Sequence, residues 1–336
     1  MKVEVNRCPI PMLWLDTSVI IDLTKYRENI KFKEDIQYER TARLNQIIFE
    51  KTRSRTLLFV EGDQREEINS LTKEAHGTQS YLTLGIKFQY RKQIHDNQLY
   101  CTMKSYLKNE EIVELPYSDA FHRDPIQEIR ERDRGPLNGI IISAYMNTSD
   151  EEIKDRIARK ERLVRELESL RQDRLASGIT FEQQVEQEYN GTLHAGLLGM
   201  KNLSFKIENG IDITFDDVAQ SSVFSEIVEM WARLSRDIRH EKNLTDFLTS
   251  AHYRAMPYLD IQSRLYADVI TGVKPIQTGD SMDIEHLSTV IPYCNYVMTD
   301  LKMKNRIIRL GIDKQYNTKV YCLRDTKELI DDLSKL

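Results

Sequence analysis

Two short apolar runs, one near each end of the chain, stop on an acidic residue. Met12–Leu15 is uncharged and is followed by Asp16, whereas Asn295–Met298 leads into Thr299 and Asp300. Short uncharged runs between polar segments are typical of buried strands. Active-site groups collect at the carboxyl ends of strands in open α/β sheets. Both aspartates are therefore candidate functional residues.

Three more runs predict strands that alternate with helical patterns. Thr56–Val60 precedes Glu61, Glu111–Leu115 is closed by Pro116, and Lys319–Leu323 lies near the end of the chain. Strands and helices that alternate along a chain are typical of the α/β class. We therefore expect an α/β core built from both ends of the chain.

The middle of the chain predicts helices. In Asp150–Leu175 apolar residues recur at a spacing of 3.6, while Arg and Glu alternate around the rest. Further helices are predicted for Thr78–Leu107, Asn138–Met146, Phe181–Leu198 (broken around Gly191, Gly196 and Gly199), Asp216–His240 and Leu244–Ile270. We therefore divide the chain into an α/β core, residues 1–117 and 273–336, and a helical insertion, residues 118–272.

Charge and composition exclude several classes of protein. The net charge of −5 argues against a surface that is basic throughout, so any nucleic-acid contact must be a local patch. The residues of such a patch follow Asp300 on one predicted helix: Lys302, Lys304, Arg306 and Arg309. The four cysteines, at positions 8, 101, 294 and 322, form no Cys-x-x-Cys pair, which indicates buried thiols. Without a signal-like start or a long apolar run, we expect a cytoplasmic protein that does not contact membranes.

Four acidic residues are candidates for shared chemistry. They are Asp16, Glu61, Asp283 and Asp300, with Asp280 as a substitute or support for Asp283, and Asp63, Glu66 and Glu67 as substitutes for Glu61. Each also has a purely structural interpretation, because a carboxylate can cap a helix or favour the positive end of its dipole. Their order along the chain distinguishes the two interpretations better than any one residue does.

The segments Leu15-Asp16-Thr17-Ser18 and Thr299-Asp300, together with the helix that Asp283 opens, resemble the PIN-domain nucleases. Glu61 fits the place of that family's second acidic residue. The resemblance covers roughly the first 75 and the last 60 residues. It implies a parallel sheet whose strand ends gather acidic residues around a divalent metal. The helical insertion is the main departure from the family's pattern.

The resemblance implies Mg²⁺ or Mn²⁺ as the cofactor, held by Asp16, Glu61, Asp283 and Asp300. Oxygen ligands suit these cations better than they suit zinc. Thr17 or Thr299 could orient a water molecule or a carboxylate. We expect His286, one turn after Asp283, to hydrogen-bond a carboxylate, with a phosphate contact as the alternative.

These expectations amount to a metal-dependent nuclease, with RNA preferred to DNA, acting as a toxin or defence effector. The insertion would recognise the target, bind a protein partner or form a homo-oligomer. A haloacid-type phosphatase is disfavoured because Ser18 stands where a second Asp is needed, and no P-loop is present. Two alternatives stay open: a helical HEPN-type ribonuclease using Arg233 and His240, and an inactive PIN-like scaffold that binds a partner through its helices.

Overall fold

The computed structural model describes residues 1–69, 72–134, 145, 149–238 and 240–336. The predicted helix Asn138–Met146 lies almost wholly outside these residues. The strands are β1 Lys2–Asn6, β2 Met12–Leu15, β3 Leu58–Phe59, β4 Ile112–Pro116, β5 Tyr296–Met298 and β6 Lys319–Tyr321. The helices are α1 Thr17–Arg27, α2 Asp35–Arg53, α3 Gln64–Asn69, α4 Lys73–Thr83, α5 Arg91–Leu107, α6 Pro125–Arg134, α7 Asp150–Ala176, α8 Phe181–Glu208, α9 Phe215–Asp237, α10 Leu244–Leu248, α11 Ala251–Arg254, α12 Pro257–Ile270, α13 Asp280–Val290, α14 Leu301–Arg309, α15 Ile312–Gln315 and α16 Thr326–Ser334.

A parallel sheet joins the two ends of the chain. Its strand order is β3-β2-β5-β6, and each neighbouring pair runs parallel. All four residues of β2 are buried, which explains why this run carries no charge. The protein is thus a mixed α/β structure with mostly helices and a small parallel sheet, as the alternation of patterns predicted.

The described residues form two compact units. One, the sheet unit, consists of Val5–His95, Pro116–Glu166 and Gln277–Leu336. The other, the helical unit, consists of Met1–Glu4, Asp96–Leu115 and Leu167–Ile276.

One face of β2 packs in a core of the sheet unit. Leu13 and Leu15 pack among apolar side chains of α1, α2, α4 and α16. Trp14 points to the opposite face, as the twofold alternation of a strand requires. There its indole Nε1 donates a hydrogen bond to Oε1 of Gln64 at 2.8 Å. This bond ties α3, which begins at Gln64, to the middle of the sheet.

The two units divide the chain differently from the predicted boundaries. Residues 96–115 belong to the helical unit, whereas residues 118–166 belong to the sheet unit. The reason is visible for α5, whose Leu99, Met103 and Leu107 pack in one core with Phe224 and Trp231 of α9. Packing of an amphipathic face, rather than proximity in sequence, therefore decides to which unit a helix belongs.

The predicted helix Thr78–Leu107 is two helices in the structure. Leu84 and Gly85 have positive φ angles of 55° and 70°, which end α4. The chain then runs extended, and the amide of Phe88 donates to the carbonyl of Glu61 at 2.8 Å. A left-handed pair of residues in the middle of a helical pattern thus separates α4 from α5.

The predicted break around Gly191, Gly196 and Gly199 was wrong, because α8 runs unbroken from Phe181 to Glu208. Gly196 has a packing role instead. A Cβ atom at Gly196 would lie 2.3 Å from Cδ2 of Phe224, whose ring is buried in the helical core. The missing side chain allows α9 to approach α8.

Two further expectations concern exposure. Cys8, Cys294 and Cys322 are buried free thiols, as predicted, while Cys101 is half-buried. In the part of the chain that the structure describes, every helix is too short or too polar to cross a membrane.

Candidate functional site

The parallel pairing of β2 with β5 brings Asp16 beside Asp300. Leu15 is in register with Met298, and the amide of Asp16 donates to the carbonyl of Met298 at 2.9 Å. Adjacent strands lie about 4.8 Å apart, so the residues that follow them start from neighbouring positions. The structure thus joins two acidic residues that are remote in sequence.

Asp16 and Asp300 also cap the helices that follow them. Asp16 accepts from the amide of Thr17 at 2.7 Å and from Oγ of Ser18 at 3.0 Å. Asp300 accepts from the amides of Lys302 and Met303 at 2.6 and 3.1 Å, both on its Oδ1 atom. The alternative of a capping role is therefore correct for both residues. Each cap fixes its carboxylate at the positive end of a helix dipole.

Asp283 lies in the first turn of α13 and faces the same place. Burial raises its pKa to about 8, and the charges of Asp16, Asp300, Asp280 and Glu67 add to the shift. The pKa of Asp16 is likewise raised by burial, with contributions from Glu67 and Asp300. We call Asp16, Glu67, Asp283 and Asp300 the acidic cluster.

Glu67, and not Glu61, completes this cluster. Glu61 is buried and forms an isolated parallel bridge with Lys87. Burial raises the pKa of Glu61, and the charges of Arg65 and Lys87 act to lower it. An aspartate nearby would raise this pKa further, and none among the described residues is a cause of its shift. The structure therefore does not bring Glu61 together with Asp16, contrary to the expectation from the sequence, and Glu67 takes that place. Gly62 still lies against the indole of Trp14 in β2, and α3 begins two residues later, which brings Glu67 within hydrogen-bonding reach of Thr17.

Two contacts hold Glu67 in place. Oγ1 of Thr17 donates to its Oε2 at 2.8 Å, and Nζ of Lys160 lies 3.1 Å from its Oε1. Burial acts to raise the pKa of Glu67, but these two partners outweigh burial and lower it. Thr17 thus orients a carboxylate, which is one of the two roles expected for it. Lys160 of α7 was missed, because nothing in the sequence links it to a partner 93 residues away.

Asp280 is already neutralised by cations of α14. Both of its oxygens lie 2.7 Å from Nζ of Lys302, and Nη1 of Arg306 lies 3.6 Å from its Oδ1. Of the two candidates Asp280 and Asp283, the latter is therefore the better candidate for a ligand. Asp280 instead anchors α14 to α13.

The basic residues of α14 make contacts within the protein. Besides Lys302 and Arg306, Lys304 pairs with Asp325 at 2.6 Å. Arg309 is exposed on the same helix. Phosphate binding by Lys302, Lys304 and Arg306 would compete with these intramolecular ion pairs. We therefore expect α14 to bind phosphate more weakly than its sequence indicates.

Thr299 and His286, the two other residues expected to support the site, are buried. Thr299 is buried, and its amide donates to the carbonyl of Tyr321 at 2.9 Å. His286 is also buried, and its ring lies 6.3 Å from that of Trp14 between centroids. Burial lowers the pKa of His286 to about 4, so its imidazole is neutral near pH 7. Within the described contacts, the expected hydrogen bond from His286 to a carboxylate is not seen.

The acidic cluster offers the oxygen donors that a hard divalent cation prefers, but its carboxylates are not arranged around a single ion position. Its members offer only carboxylate oxygens, which Mg²⁺ and Mn²⁺ prefer. Within the described residues, no three His, Cys, Asp or Glu side chains form a group that could hold a metal ion. Helix caps engage Asp16 and Asp300, and Lys160 engages Glu67. Metal binding would therefore require these side chains to rearrange.

The residues of the alternative helical site do not share a helix. Arg233 lies in α9, which ends at Asp237, whereas His240 follows the helix. Nδ1 of His240 accepts from the amide of Lys242 at 3.0 Å, and its ring packs against Trp231. Both contacts indicate that His240 stabilises the chain just after the C-terminal end of α9.

Comparisons of the chain with models of protein families, with curated proteins and with solved structures gave no match.

Proposed function

We propose that this protein is a Mg²⁺- or Mn²⁺-dependent nuclease with a PIN-like core. The observation that supports this most strongly is the convergence of acidic side chains from remote segments. Asp16 follows β2, Asp300 follows the adjacent β5, and Asp283 and Glu67 couple to them from α13 and α3. Like charges crowd in this way at sites where a cation neutralises them.

Asp16, Glu67, Asp283 and Asp300 are the residues that would hold the cation. When bound, such an ion supplies charge that stabilises a scissile phosphate and activates water. Thr17 orients Glu67, and the amides at the starts of α1 and α14 orient Asp16 and Asp300. RNA is the preferred substrate and DNA the alternative, because most of the resembled family cleaves RNA. The helical unit would then recognise the target or a partner of a cytoplasmic toxin or defence effector.

The direct test is a cleavage assay on the full chain with Mn²⁺. A generic single-stranded RNA and a single-stranded DNA of the same sequence are the substrates, and excess chelator is the control. We expect chelator-sensitive cleavage with faster loss of the RNA. Cleavage that survives chelation but not the change His240→Ala would favour the helical ribonuclease. No cleavage of either substrate would favour an inactive scaffold.

The Lys160–Glu67 ion pair gives a prediction about metal affinity. Lys160 neutralises one carboxylate of the acidic cluster and so competes with any cation for it. The substitution Lys160→Met removes this competitor but keeps most of the apolar stem. We expect it to tighten Mn²⁺ binding about tenfold, equivalent to about 1.4 kcal/mol, as measured by titration calorimetry.

Arg162→Met is the matched control on the same helix. Arg162 is largely exposed and lies 3.9 Å from Glu166, one turn further along α7. Its removal deletes the same charge from α7 but frees no member of the acidic cluster, so Mn²⁺ affinity should stay unchanged. An unchanged or weaker affinity in Lys160→Met would show that Lys160 does not compete for Glu67.

A further inference from the structure

The tip of the α8–α9 hairpin exposes an unusual number of large apolar side chains. Each of them leaves between 45% and 61% of its surface accessible. This set, which we call the hairpin face, consists of Leu197, Leu198, Met200, Phe205, Ile207, Ile211, Ile213 and Val218. Single exposed apolar residues are ordinary, but here all eight fall within residues 197–218, around one hairpin turn, and dense exposed apolar surface indicates an interaction surface.

The hairpin is held together on its inner side, so the exposure of its outer side is not a consequence of loose packing. Gly196 of α8 lies against the buried ring of Phe224 in α9. Nearer the tip, Nζ of Lys206 pairs with Asp217 at 2.6 Å. The side chain of Thr214 accepts from the amide of Asp217 in a capping box that starts α9. Both helices are therefore fixed while the apolar side chains at the end of α8 and in the turn remain exposed.

The charges beside the hairpin face favour a protein surface over a membrane. Residues 197–218 contain two cations, Lys201 and Lys206, and four anions, Glu208, Asp212, Asp216 and Asp217, a net charge of −2. Surfaces that bind anionic lipid are rich in Lys and Arg. Here acids outnumber cations, which disfavours an anionic membrane. Lys206 is already paired with Asp217, so Lys201 is the cation for which a second copy of the same hairpin would offer an anion.

The size of the hairpin face fits one side of a dimer. Eight side chains that expose about half of roughly 150–200 Å² each present on the order of 700 Å², close to the ~800 Å² per partner of a standard interface. Five of the eight residues lie on α8, two in the turn and one, Val218, on α9, so a partner would pack along the end of α8 and the turn. A twofold axis would place this same patch of each copy against the other.

We propose that the protein forms a homodimer through the hairpin face, with the tips of the α8–α9 hairpins of two copies packed against each other. The test is the mass of the full chain in sedimentation equilibrium across a concentration series. We expect a dimer at micromolar concentrations. The double substitution Leu198→Glu with Phe205→Glu should weaken the dimer at least tenfold, because it places four charges in the apolar interface.

Val273→Glu is the matched control in the same unit. Val273 is 84% exposed and lies outside the hairpin face, so this change should leave the dimer intact. Circular dichroism should show equal helix content in all three proteins, since the substituted side chains are exposed. A wild-type chain that stays monomeric at about 100 μM, well above the micromolar affinities of ordinary complexes, would overturn the proposal. So would a double variant that dimerises as well as the wild type, or a monomeric wild type that binds phosphatidylserine vesicles.

Discussion

The substitutions Asp16→Asn and Asp300→Asn are expected to lower metal-dependent cleavage by about 100-fold or more. Each change removes one negative charge from the acidic cluster. Asparagine is as good a helix cap as aspartate, so α1 and α14 should still start at the same residues. Loss of activity would then report a lost ligand and not a lost fold. The measurement is the rate of RNA cleavage with Mn²⁺, combined with thermal unfolding of each variant.

Glu61→Gln is the matched control for these two variants. Glu61 is a buried carboxylate in the same unit, but it couples to Arg65 and Lys87 and not to the aspartates. We expect its substitution to leave the cleavage rate nearly unchanged, because it removes no charge from the acidic cluster. If Glu61→Gln abolished cleavage while Asp16→Asn did not, the acidic cluster would be assigned to the wrong residues.

The second large effect concerns stability. Gly196→Ala should lower the free energy of unfolding by about 2 kcal/mol, because the new methyl group overlaps the buried ring of Phe224. The ring cannot move away without disturbing the helical core around Trp231. Chemical denaturation followed by circular dichroism measures the loss.

Gly191→Ala, five residues earlier in α8, should have the opposite effect on stability. Nothing lies within 4 Å of a Cβ atom at this position. Alanine there should raise the free energy of unfolding by about 0.5–1 kcal/mol, since it restricts the unfolded chain and favours the helix. Equal destabilisation by both substitutions would mean that α8 does not pack on α9 as described.

The sequence predicted the parts of the fold that depend on local apolar pattern. Met12–Leu15 and Tyr296–Met298 form buried neighbouring strands because both runs lack charge and end on a capping residue. The pattern could not show that Leu84 and Gly85 interrupt a helix, since leucine is a good helix former and its residue type does not indicate a positive φ. It also misread Gly196, because a glycine that permits close helix packing resembles one that breaks a helix.

The acidic cluster likewise contains residues that the sequence could predict and residues that it could not. Asp16, Asp283 and Asp300 could be named in advance, because strand ends and first helical turns fix where they point. Glu67 could be named only as a substitute for Glu61, since the path of the chain after the two-residue strand β3 is not encoded locally. Lys160 is unpredictable from pattern alone, as it meets Glu67 only through the packing of α7.

The most direct test of the proposed metal site is to locate Mn²⁺ by anomalous scattering in crystals soaked with the ion. We predict a peak bound by carboxylate oxygens of Asp16 and Asp300, at inner-sphere distances of roughly 2.0–2.6 Å, with Asp283 or Glu67 beside it. Absence of a peak at the acidic cluster at millimolar Mn²⁺, or a peak bound by none of its four members, would contradict a metal site there.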